Sequence, residues 1–357
     1  MDLVLEEVLR EAAAKGASDI YLISGKAMSM KIGGEIVELS PDRLMPDTTH
    51  EFLREIYGFA CGRKMERVEE AGDDDFSFSL AGIARFRVSA FKQRGTLAAV
   101  IRVVAFDLPD PASLSIPQVA LDLSQRKKGL VLVTGPTGSG KSTTLACIID
   151  QINKSRNAHI ITIEDPIEFL HRHGQSIVSQ REVTLDTKNY AVALRAALRQ
   201  APNVILIGEL RDSETIEIAM TAAETGHLVL STLHTIGSAN TIDRIVDAFH
   251  ANQQGQIRVQ LSMVLGAVVS QQLVPKKEGG VLAAFEVMLV NDAIRNMIRE
   301  SKIHQIDSVI TSSAADGMMT MDSSLLREYK EGKISDTTAV AFSTQPELMK
   351  KRLAAGM

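Results

Sequence analysis

The chain has 357 residues, of which 45% are hydrophobic and 23% charged, and its net charge is −5. This balance excludes a general electrostatic attraction to nucleic acid or to anionic lipid, and an aromatic content of 4% leaves few rings on which bases could stack. The length favours two domains over one.

The first hundred residues predict a small α/β domain. Apolar residues recur at helical spacing from Leu5 to Ala12, and a short strand follows at Asp19 to Ile23. Alternating apolar residues on both sides of Gly33-Gly34 predict a hairpin. Thr48 to Glu51 match the pattern of a capping box, which predicts that a helix begins there.

Two further strands are predicted by alternation at Phe76 to Leu80 and Phe86 to Ala90. Successive side chains of a strand point to opposite faces, so Arg85 and Arg87 share the face opposite the apolar residues of the second strand. Arg102 comes shortly after. These arginines either form a solvated strand face or supply positive charge to a site formed elsewhere.

A stretch with three prolines, Phe106 to Pro117, predicts a stiff connection. We therefore divide the chain into an N-terminal domain at 1–105, a linker at 106–120 and a second domain at 121–357. In the second domain, short apolar runs alternate with helical patterns, which predicts a parallel sheet of βαβ units. These runs are Leu130 to Thr134, His159 to Ile163, Val204 to Ile207 and Leu228 to Leu233, and the tail after Asp292 predicts several helices.

A phosphate-binding motif follows the first of these runs. The segment matches G-x-x-x-x-G-K-S/T at every fixed position, between a buried strand and a helix-forming run. Its glycines let N–H groups converge on phosphate oxygens, and the N-terminus of the helix favours an anion. We expect Lys141 to reach the β- and γ-phosphates of ATP and Ser142 to reach Mg²⁺. The expected nucleotide contacts are Gly135, Pro136, Thr137, Gly138, Ser139, Gly140, Lys141, Ser142 and Thr143.

Acidic residues end two neighbouring strands, at the sheet edge where ligands of doubly wound folds bind. Glu209 is the candidate for orienting and activating the attacking water, and a structural pairing with Arg211 is the alternative. Glu164 is expected to contact Mg²⁺ or its water shell, the alternative being a solvated carboxylate beside the Asp165-Pro166 turn.

Two histidines bracket the strand Leu228 to Leu233. His234 follows its carboxyl end, where it could report the γ-phosphate, whereas His227 lies at the other end and fits packing or an interface equally well. The phosphate loop itself holds one cation, Lys141, and a second cation often stabilises a transferring phosphoryl group. Arg85 and Arg87 are candidates to supply it across a domain or subunit interface.

The composition also bears on location. Cys61 and Cys147 lie far apart without metal-type spacing, which fits reduced thiols better than a disulfide framework. Acidic residues within Met1 to Arg10 argue against a signal peptide, and no apolar run approaches the roughly 18 residues that span a membrane. We expect a cytoplasmic protein, peripheral to a membrane at most, that binds no nucleic acid.

Together these segments resemble the secretion ATPase superfamily and, within it, the retraction ATPases of type IV pili. The resemblance covers nearly the whole chain. The matching segments are Gly16 to Asp19, an arginine-bearing strand at 84–87, the phosphate loop, an aspartate box at 162–168, an unusual second nucleotide motif at 208–212 and a histidine box at 221–235.

The resemblance implies a PAS-like N-terminal α/β domain, then a RecA-like P-loop ATPase domain with a helical C-terminal region. It implies a homo-hexamer that hydrolyses ATP with Mg²⁺ to drive pilus retraction, the pilin disassembly behind twitching motility, with an inner-membrane platform protein as partner. It also implies that Glu209 is the catalytic base, that Glu164 helps at the metal and water, and that Arg85, Arg87 and Arg102 reach the phosphates.

Assignment within the superfamily depends on fewer residues. Assembly and secretion relatives commonly carry a four-cysteine zinc site, which two cysteines cannot form, so we expect no zinc. Ala293 to Glu300 resembles a retraction-linked motif, and an ordinary amphipathic helix is the alternative. Tyr21 and the segment Gln200 to Asn203 depart from the family pattern. These departures leave open that the chain is a paralogue of the main retraction motor. The rival functions are a pilus assembly or type II secretion ATPase, and a low-turnover nucleotide-binding regulator of a partner motor.

Overall fold

The computed structural model describes residues 4–60, 62–104 and 108–355. The chain forms two compact units: Met1–Asp107 with Glu168–Leu170, and Leu108–Ile167 with His171–Met357. The predicted domain ranges 1–105, 106–120 and 121–357 stay a prediction. Cys61, Ala105 at the end of the predicted N-terminal domain, and residues 106–107 of the predicted linker lie outside the described residues.

The first unit contains one six-stranded sheet. Its strands are β1 (Asp19–Ile23), β2 (Ala27–Ile32), β3 (Glu35–Arg43), β4 (Asp73–Leu80), β5 (Ala84–Gln93) and β6 (Thr96–Val104). They are paired antiparallel in the order β3-β2-β1-β6-β5-β4. Its helices are α1 (Leu5–Ala14), α2 (Pro46–Phe59) and α3 (Glu66–Ala71).

The predicted hairpin is confirmed, because Ile32 pairs with Glu35 across the two-residue turn Gly33-Gly34. The predicted capping box is wrong. Helix α2 begins at Pro46, so its N-cap is Met45, three residues earlier than the expected Thr48, and this N-cap residue makes no side-chain hydrogen bond. Proline suits the first turn because its fixed φ is helical and its missing N–H has no intrahelical acceptor there. Thr49 lies inside the helix, and its hydroxyl donates to the carbonyl of Met45 at 3.1 Å.

The two faces of β5 differ as the alternation predicted. Phe86 and Val88 are fully buried, whereas Arg87 on the opposite face is exposed and Arg85 is half-buried. Arg87 lies directly opposite Arg102 in the antiparallel pairing of β5 and β6. The guanidinium of Arg102 donates to a carboxylate oxygen of Asp19 on β1 at 3.1 Å. The sheet therefore places positive charge from two neighbouring strands side by side.

The second unit contains a seven-stranded sheet. Its strands are β7 (Gly129–Thr134), β8 (His159–Glu164), β9 (Ile177–Glu182), β10 (Val204–Ile207), β11 (Leu228–Leu233), β12 (Leu265–Pro275) and β13 (Val281–Leu289). The order is β13-β12-β7-β11-β10-β8-β9, and every pair is parallel except β12 with β13. The sequence predicted four of these strands and missed β9, β12 and β13.

Helices flank this sheet and follow it. They are α4 (Gln118–Leu121), α5 (Lys141–Ser155), α6 (Tyr190–Ala197), α7 (Ser213–Glu224), α8 (Ser238–Asp247), α9 (Ala251–Val264), α10 (Asp292–Arg299), α11 (Ile306–Ser312), α12 (Met321–Lys330), α13 (Asp336–Phe342) and α14 (Pro346–Ala354). The helical tail predicted after Asp292 is therefore confirmed, as is the α/β class. Within the described ranges, no helix is long and apolar enough to cross a membrane.

The sheet of the second unit is buried on both faces. Along β7, Leu130 and Leu132 pack with α7 to α11 on one side. Val131 and Val133 pack on the other side with Ile148 and neighbouring residues of α5. Burial on both faces explains why this strand reads as a continuous apolar run. It also fixes the carboxyl end of β7, from which the phosphate loop emerges.

Candidate nucleotide site

The phosphate loop joins β7 to α5, and its conformation requires glycine. Gly135 has a φ of 143°, and Gly140, which caps the N-terminus of α5, has a φ of 90°. A Cβ atom at Gly135 would lie 2.1 Å from the backbone oxygen of Gln271. No side chain fits into that approach, so the motif glycine is needed for space as well as for its backbone angles.

Lys141 is the first residue of α5 and is 8% exposed. Its ammonium group donates to the carbonyls of Gly135 and Pro136 at 3.0 Å each. These hydrogen bonds hold the ammonium group inside the loop, where it is expected to contact the phosphates. Ser142 and Thr143 follow in the first turn of α5, both half-buried. An anion at this helix N-terminus meets unpaired N–H groups and the positive end of the helix dipole.

His234 and Glu209 lie next to the loop. The imidazole of His234, just after β11, is 3.4 Å from the hydroxyl of Thr137 through Nδ1 and 3.3 Å from a carboxylate oxygen of Glu209 through Nε2. Glu209, just after β10, is 13% exposed and also forms an ion pair with Arg211. The predicted catalytic carboxylate, the predicted sensor and the loop therefore form one chain of contacts. The alternative pairing with Arg211 is present at the same time.

Glu164 ends β8 at the same edge of the sheet. Its carboxylate accepts hydrogen bonds from the hydroxyl of Thr162 at 2.6 Å and from the amide of Gln180 at 3.2 Å. The side chain is half-buried and bound on two sides, so the alternative of a merely solvated carboxylate does not describe it. The expected contact with Mg²⁺ stays a prediction. Sequence reasoning missed Gln180, because it lies on β9, a strand that carried no clear pattern.

Tyr190 is a further neighbour that the sequence did not indicate. Burial raises the pKa of its hydroxyl, and the negative charges of Asp165 and Glu209 raise it further. A Cβ atom at Gly208 would lie 2.8 Å from this hydroxyl oxygen. The close approach explains why glycine stands at 208. The acidic residues of the edge thus surround a tyrosine that stays protonated.

The chemistry of these donors fits a magnesium ion. Mg²⁺ prefers oxygen ligands and is usually held by one or two protein groups, substrate phosphates and water. The Ser142 hydroxyl lies at the start of α5, and the carboxylates of Glu164 and Glu209 end strands at the same sheet edge. Among the described residues, no three acidic, histidine or cysteine side chains form a ready-made metal cluster. A metal here would therefore depend on the nucleotide for its remaining ligands.

His227 lies away from this edge, and the arginines of β5 and β6 belong to the other compact unit. His227 precedes β11 at the opposite end of the strand, where its Nδ1 is 2.9 Å from the carbonyl of Ala222. Arg85 and Arg87 belong to the first unit, and Arg85 donates to the hydroxyl of Ser79 at 3.2 Å. Their part in catalysis, with that of Arg102, stays a prediction.

Known proteins match this chain over most of its length. The chain is 43% identical to the type IV pilus retraction ATPase PilT of Pseudomonas aeruginosa, over 96% of this chain and 99% of that protein. It is 40% identical to the type IV pilus ATPase PilU of the same organism, over 95% of this chain and 88% of that protein. A crystal structure of the pilus retraction motor PilT with bound ADP matches with a TM-score of 0.89 and 46% identity, covering 98% of this chain and all of that one.

These likenesses confirm the predicted resemblance and fold, an α/β domain followed by a P-loop ATPase domain with a helical C-terminal region. The model of the type II/IV secretion system protein family matches residues 1–316. That span is most of the 357 residues and includes the phosphate loop, Glu164, Glu209 and His234. The chain belongs to the type II/IV secretion system protein family.

Proposed function

We propose that this chain is a motor ATPase that hydrolyses ATP to drive the retraction of type IV pili. The observation that carries the proposal is the contact of Thr137, His234 and Glu209 at the phosphate loop. It joins a nucleotide loop, a candidate sensor and a candidate base in one site. The pilus functions named for relatives that match almost the whole chain support the assignment to retraction.

Binding begins at the loop. Its backbone N–H groups and the N-terminus of α5 receive the phosphates, and the ammonium of Lys141 moves from the carbonyls of Gly135 and Pro136 to the β- and γ-phosphate oxygens. The Ser142 hydroxyl would hold Mg²⁺, which would supply positive charge that offsets the charge of the transferring group. The α5 dipole and Lys141 act on the same oxygens.

Hydrolysis needs a water aligned with the γ-phosphorus and a group that accepts its proton. Glu209 is the candidate base, because its carboxylate lies beside the loop and is mostly shielded from solvent. Glu164, held by Thr162 and Gln180, orients the metal's water shell. His234 contacts both the loop and Glu209, so a change at the γ-phosphate alters its surroundings directly. This contact gives the site a means of reporting hydrolysis to the segment after β11.

The arginines of the first unit complete the proposal. Arg85, Arg87 and Arg102 supply the second cation that phosphoryl transfer uses, from another domain or from a neighbouring subunit of a homo-hexamer. If these arginines shift when ATP is hydrolysed, the N-terminal domain that carries them shifts as well. The partner is an inner-membrane platform protein of the pilus machine, and the motor works at the inner face of that membrane.

Steady-state phosphate release measured together with particle size tests the proposal. A retraction motor is expected to turn over ATP as a hexamer, and a strain without the gene should lose retraction while still assembling pili. Loss of assembly instead would identify an assembly ATPase. A hexamer with negligible turnover would identify the low-turnover regulator, a rival that the departures at Gln200 to Asn203 keep in view.

A further inference from the structure

Strand β12 brings a buried glutamine against the phosphate loop. In the parallel pairing of β12 with β7, Ser270 lies opposite Thr134, the last residue before the loop. The next residue, Gln271, therefore lies beside the loop itself, and its side chain is 1% exposed. It is 132 residues distant in sequence from Ser139 of the loop. No local motif marks it.

The nitrogen and the oxygen of the Gln271 side-chain amide each form a hydrogen bond. Its nitrogen donates to the carbonyl of Ser139 within the loop, and its oxygen accepts a hydrogen bond from the hydroxyl of Thr144 in the first turn of α5 at 2.8 Å. A carbonyl can only accept, so the Ser139 contact fixes which end of the amide is the nitrogen. Ser139 and Thr144 are each 2% exposed, and water does not offer a substitute.

The backbone and the side chain of Gln271 both confine the loop. Its main-chain carbonyl oxygen is the atom that a Cβ at Gly135 would strike at 2.1 Å, and its side-chain amide nitrogen lies 3.1 Å from the Cβ position of Gly140. The first glycine of the motif and the glycine before Lys141 thus both lie against one residue. Gln271 spans the loop from its entrance to the start of the helix.

This contact decides which way one peptide of the loop faces. In a planar trans peptide, the carbonyl and the following N–H point in opposite directions. With the Ser139 carbonyl bound to Gln271, the N–H of Gly140 points away from the glutamine. A reversed peptide would turn a carbonyl toward the phosphates and repel them. The bond from Gln271 keeps the donor orientation that an anion needs.

We propose that Gln271 is a positioning residue of the nucleotide site, which holds the phosphate loop in its anion-binding conformation through Ser139 and Thr144. The inference depends on the proposed ATPase function and extends it to a residue outside every recognised motif. Both polar atoms of the Gln271 side chain are engaged by Ser139 and Thr144. Its effect passes through the loop, so its loss weakens binding of any ligand that carries the β-phosphate.

The neighbouring residue provides a matched control. Gln272 is the same residue type on the same strand, is 7% exposed and points to the opposite face, where its amide is 3.5 Å from the carbonyl of Phe342. Gln271→Met and Gln272→Met each replace a buried amide by an apolar chain of similar length. If Gln271 only fills buried space and pairs buried polar groups, the two variants should bind nucleotide alike once they are folded.

The test compares the KM for ATP, kcat and the Kd for a fluorescent ADP analogue in the full-length protein, at a temperature where all variants are folded. For Gln271→Met we expect the KM and Kd to rise together by about five- to tenfold, as loss of one or two buried hydrogen bonds implies, with a smaller change in kcat. Gln272→Met should stay within about twofold of the wild type. This split of KM against kcat marks a loss of binding rather than of stability.

A second variant keeps the inference testable if Gln271→Met does not fold. Thr144→Val removes only the hydroxyl that donates to Gln271 and should weaken ADP binding in the same direction. Together with Gln271→Met its effect should be less than additive, because both changes remove the same contact. Equal Kd and KM values for Gln271→Met, Thr144→Val and the wild type would overturn the positioning role. A wild-type protein that neither binds nor hydrolyses ATP would instead overturn the proposed function.

Discussion

Glu209 makes two different contacts with one carboxylate. One oxygen faces His234 and the other is paired with Arg211. A catalytic base needs a partner that holds its carboxylate in place and a path by which water can approach. Because both oxygens of Glu209 have a partner, the carboxylate is fixed next to the loop. The ion pair with Arg211, which is 66% exposed, is expected to contribute little stability by itself.

Glu209→Gln should stop turnover and leave nucleotide bound. The amide keeps the shape of the side chain but cannot accept a proton from water, so we expect kcat to fall by at least about 10²-fold. The Kd for a fluorescent ATP analogue should stay within a few-fold of wild type. Phosphate release and fluorescence titration on the same sample measure both. Turnover near the wild-type rate would transfer the role of base to Glu164.

Lys141→Ala should abolish hydrolysis and weaken nucleotide binding, because the β- and γ-phosphates lose their point charge. Lys154→Ala is the matched control, since Lys154 lies on the same helix, is 73% exposed and is paired with Asp150 at 2.7 Å. That variant should hydrolyse ATP like the wild type. Unchanged phosphate release by a folded Lys141→Ala protein would show that the loop is not the site of catalysis.

At the scale of elements, helix α10 separates packing residues from surface residues. Asn291 caps its N-terminus by accepting a hydrogen bond from the N–H of Ile294 at 3.0 Å. Ile294 and Ile298 are fully buried, as the amphipathic pattern predicted. Arg295 is 38% exposed and donates to Asp292 at 3.0 Å. The buried pair holds the helix in place, and the polar residues are available to a partner.

The double variant Arg295→Ala with Asn296→Ala should leave the fold and ATP turnover intact and abolish retraction in cells. Surface replacements usually change the free energy of unfolding by under about 0.5 kcal/mol, whereas Ile298→Ala should cost roughly 2–5 kcal/mol through the cavity that it leaves. The measurements are the ATPase rate and the melting temperature of the purified protein, and twitching of a strain that carries the variant.

Lys350→Ala is the control for this experiment. Lys350 pairs with Glu347 three residues away on α14, which repeats the spacing of Arg295 with Asp292 on another helix. Cells with this variant should retract pili normally. Normal twitching in cells with the Arg295 and Asn296 changes would show that α10 has only a structural role. It would also weaken the evidence for a retraction motor over an assembly ATPase.

The elements that the sequence predicted are those with a local signature. Strand β7 and the loop after it follow from a continuous apolar run and a fixed glycine spacing, and β10 and β11 were placed to the residue. The start of α2 was wrong because Pro46 took the first turn ahead of the threonines. Gln271 could not be found, since its significance depends on the pairing of β12 with β7, which is a contact between distant segments. Local patterns thus gave the catalytic candidates but not the residues that support them.

At the scale of the whole molecule, the catalytic candidates are distributed over two compact units. The phosphate loop, Glu164 and Glu209 belong to one, and Arg85, Arg87 and Arg102 belong to the other. If the arginines act on the nucleotide, catalysis requires both units, and either unit alone should be incomplete. The second unit includes residues before the predicted boundary at 121, since Ile116 and Ala120 are buried with α5.

A fragment that begins at Leu108 should therefore bind ATP and hydrolyse it poorly. In the full-length protein, Arg85→Ala and Arg87→Ala should lower kcat by about 10-fold or more with little change in melting temperature, because Arg87 lies on an exposed strand face. Phosphate release and nucleotide titration are compared for the fragment, the variants and the wild type. Full activity of the fragment would rule out a catalytic role for the N-terminal arginines.

The close approach of Gly135 to strand β12 has a consequence for genetics. The atom that a side chain at 135 would strike is the main-chain oxygen of Gln271, and every amino acid at position 271 carries that oxygen. A suppressor selection that starts from a Gly135 mutant should therefore recover reversion to glycine and no compensating change at 271. Defects at Gln271 involve only a side chain and leave room for second-site suppressors. Two residues in contact across the same site thus differ in whether evolution can exchange them.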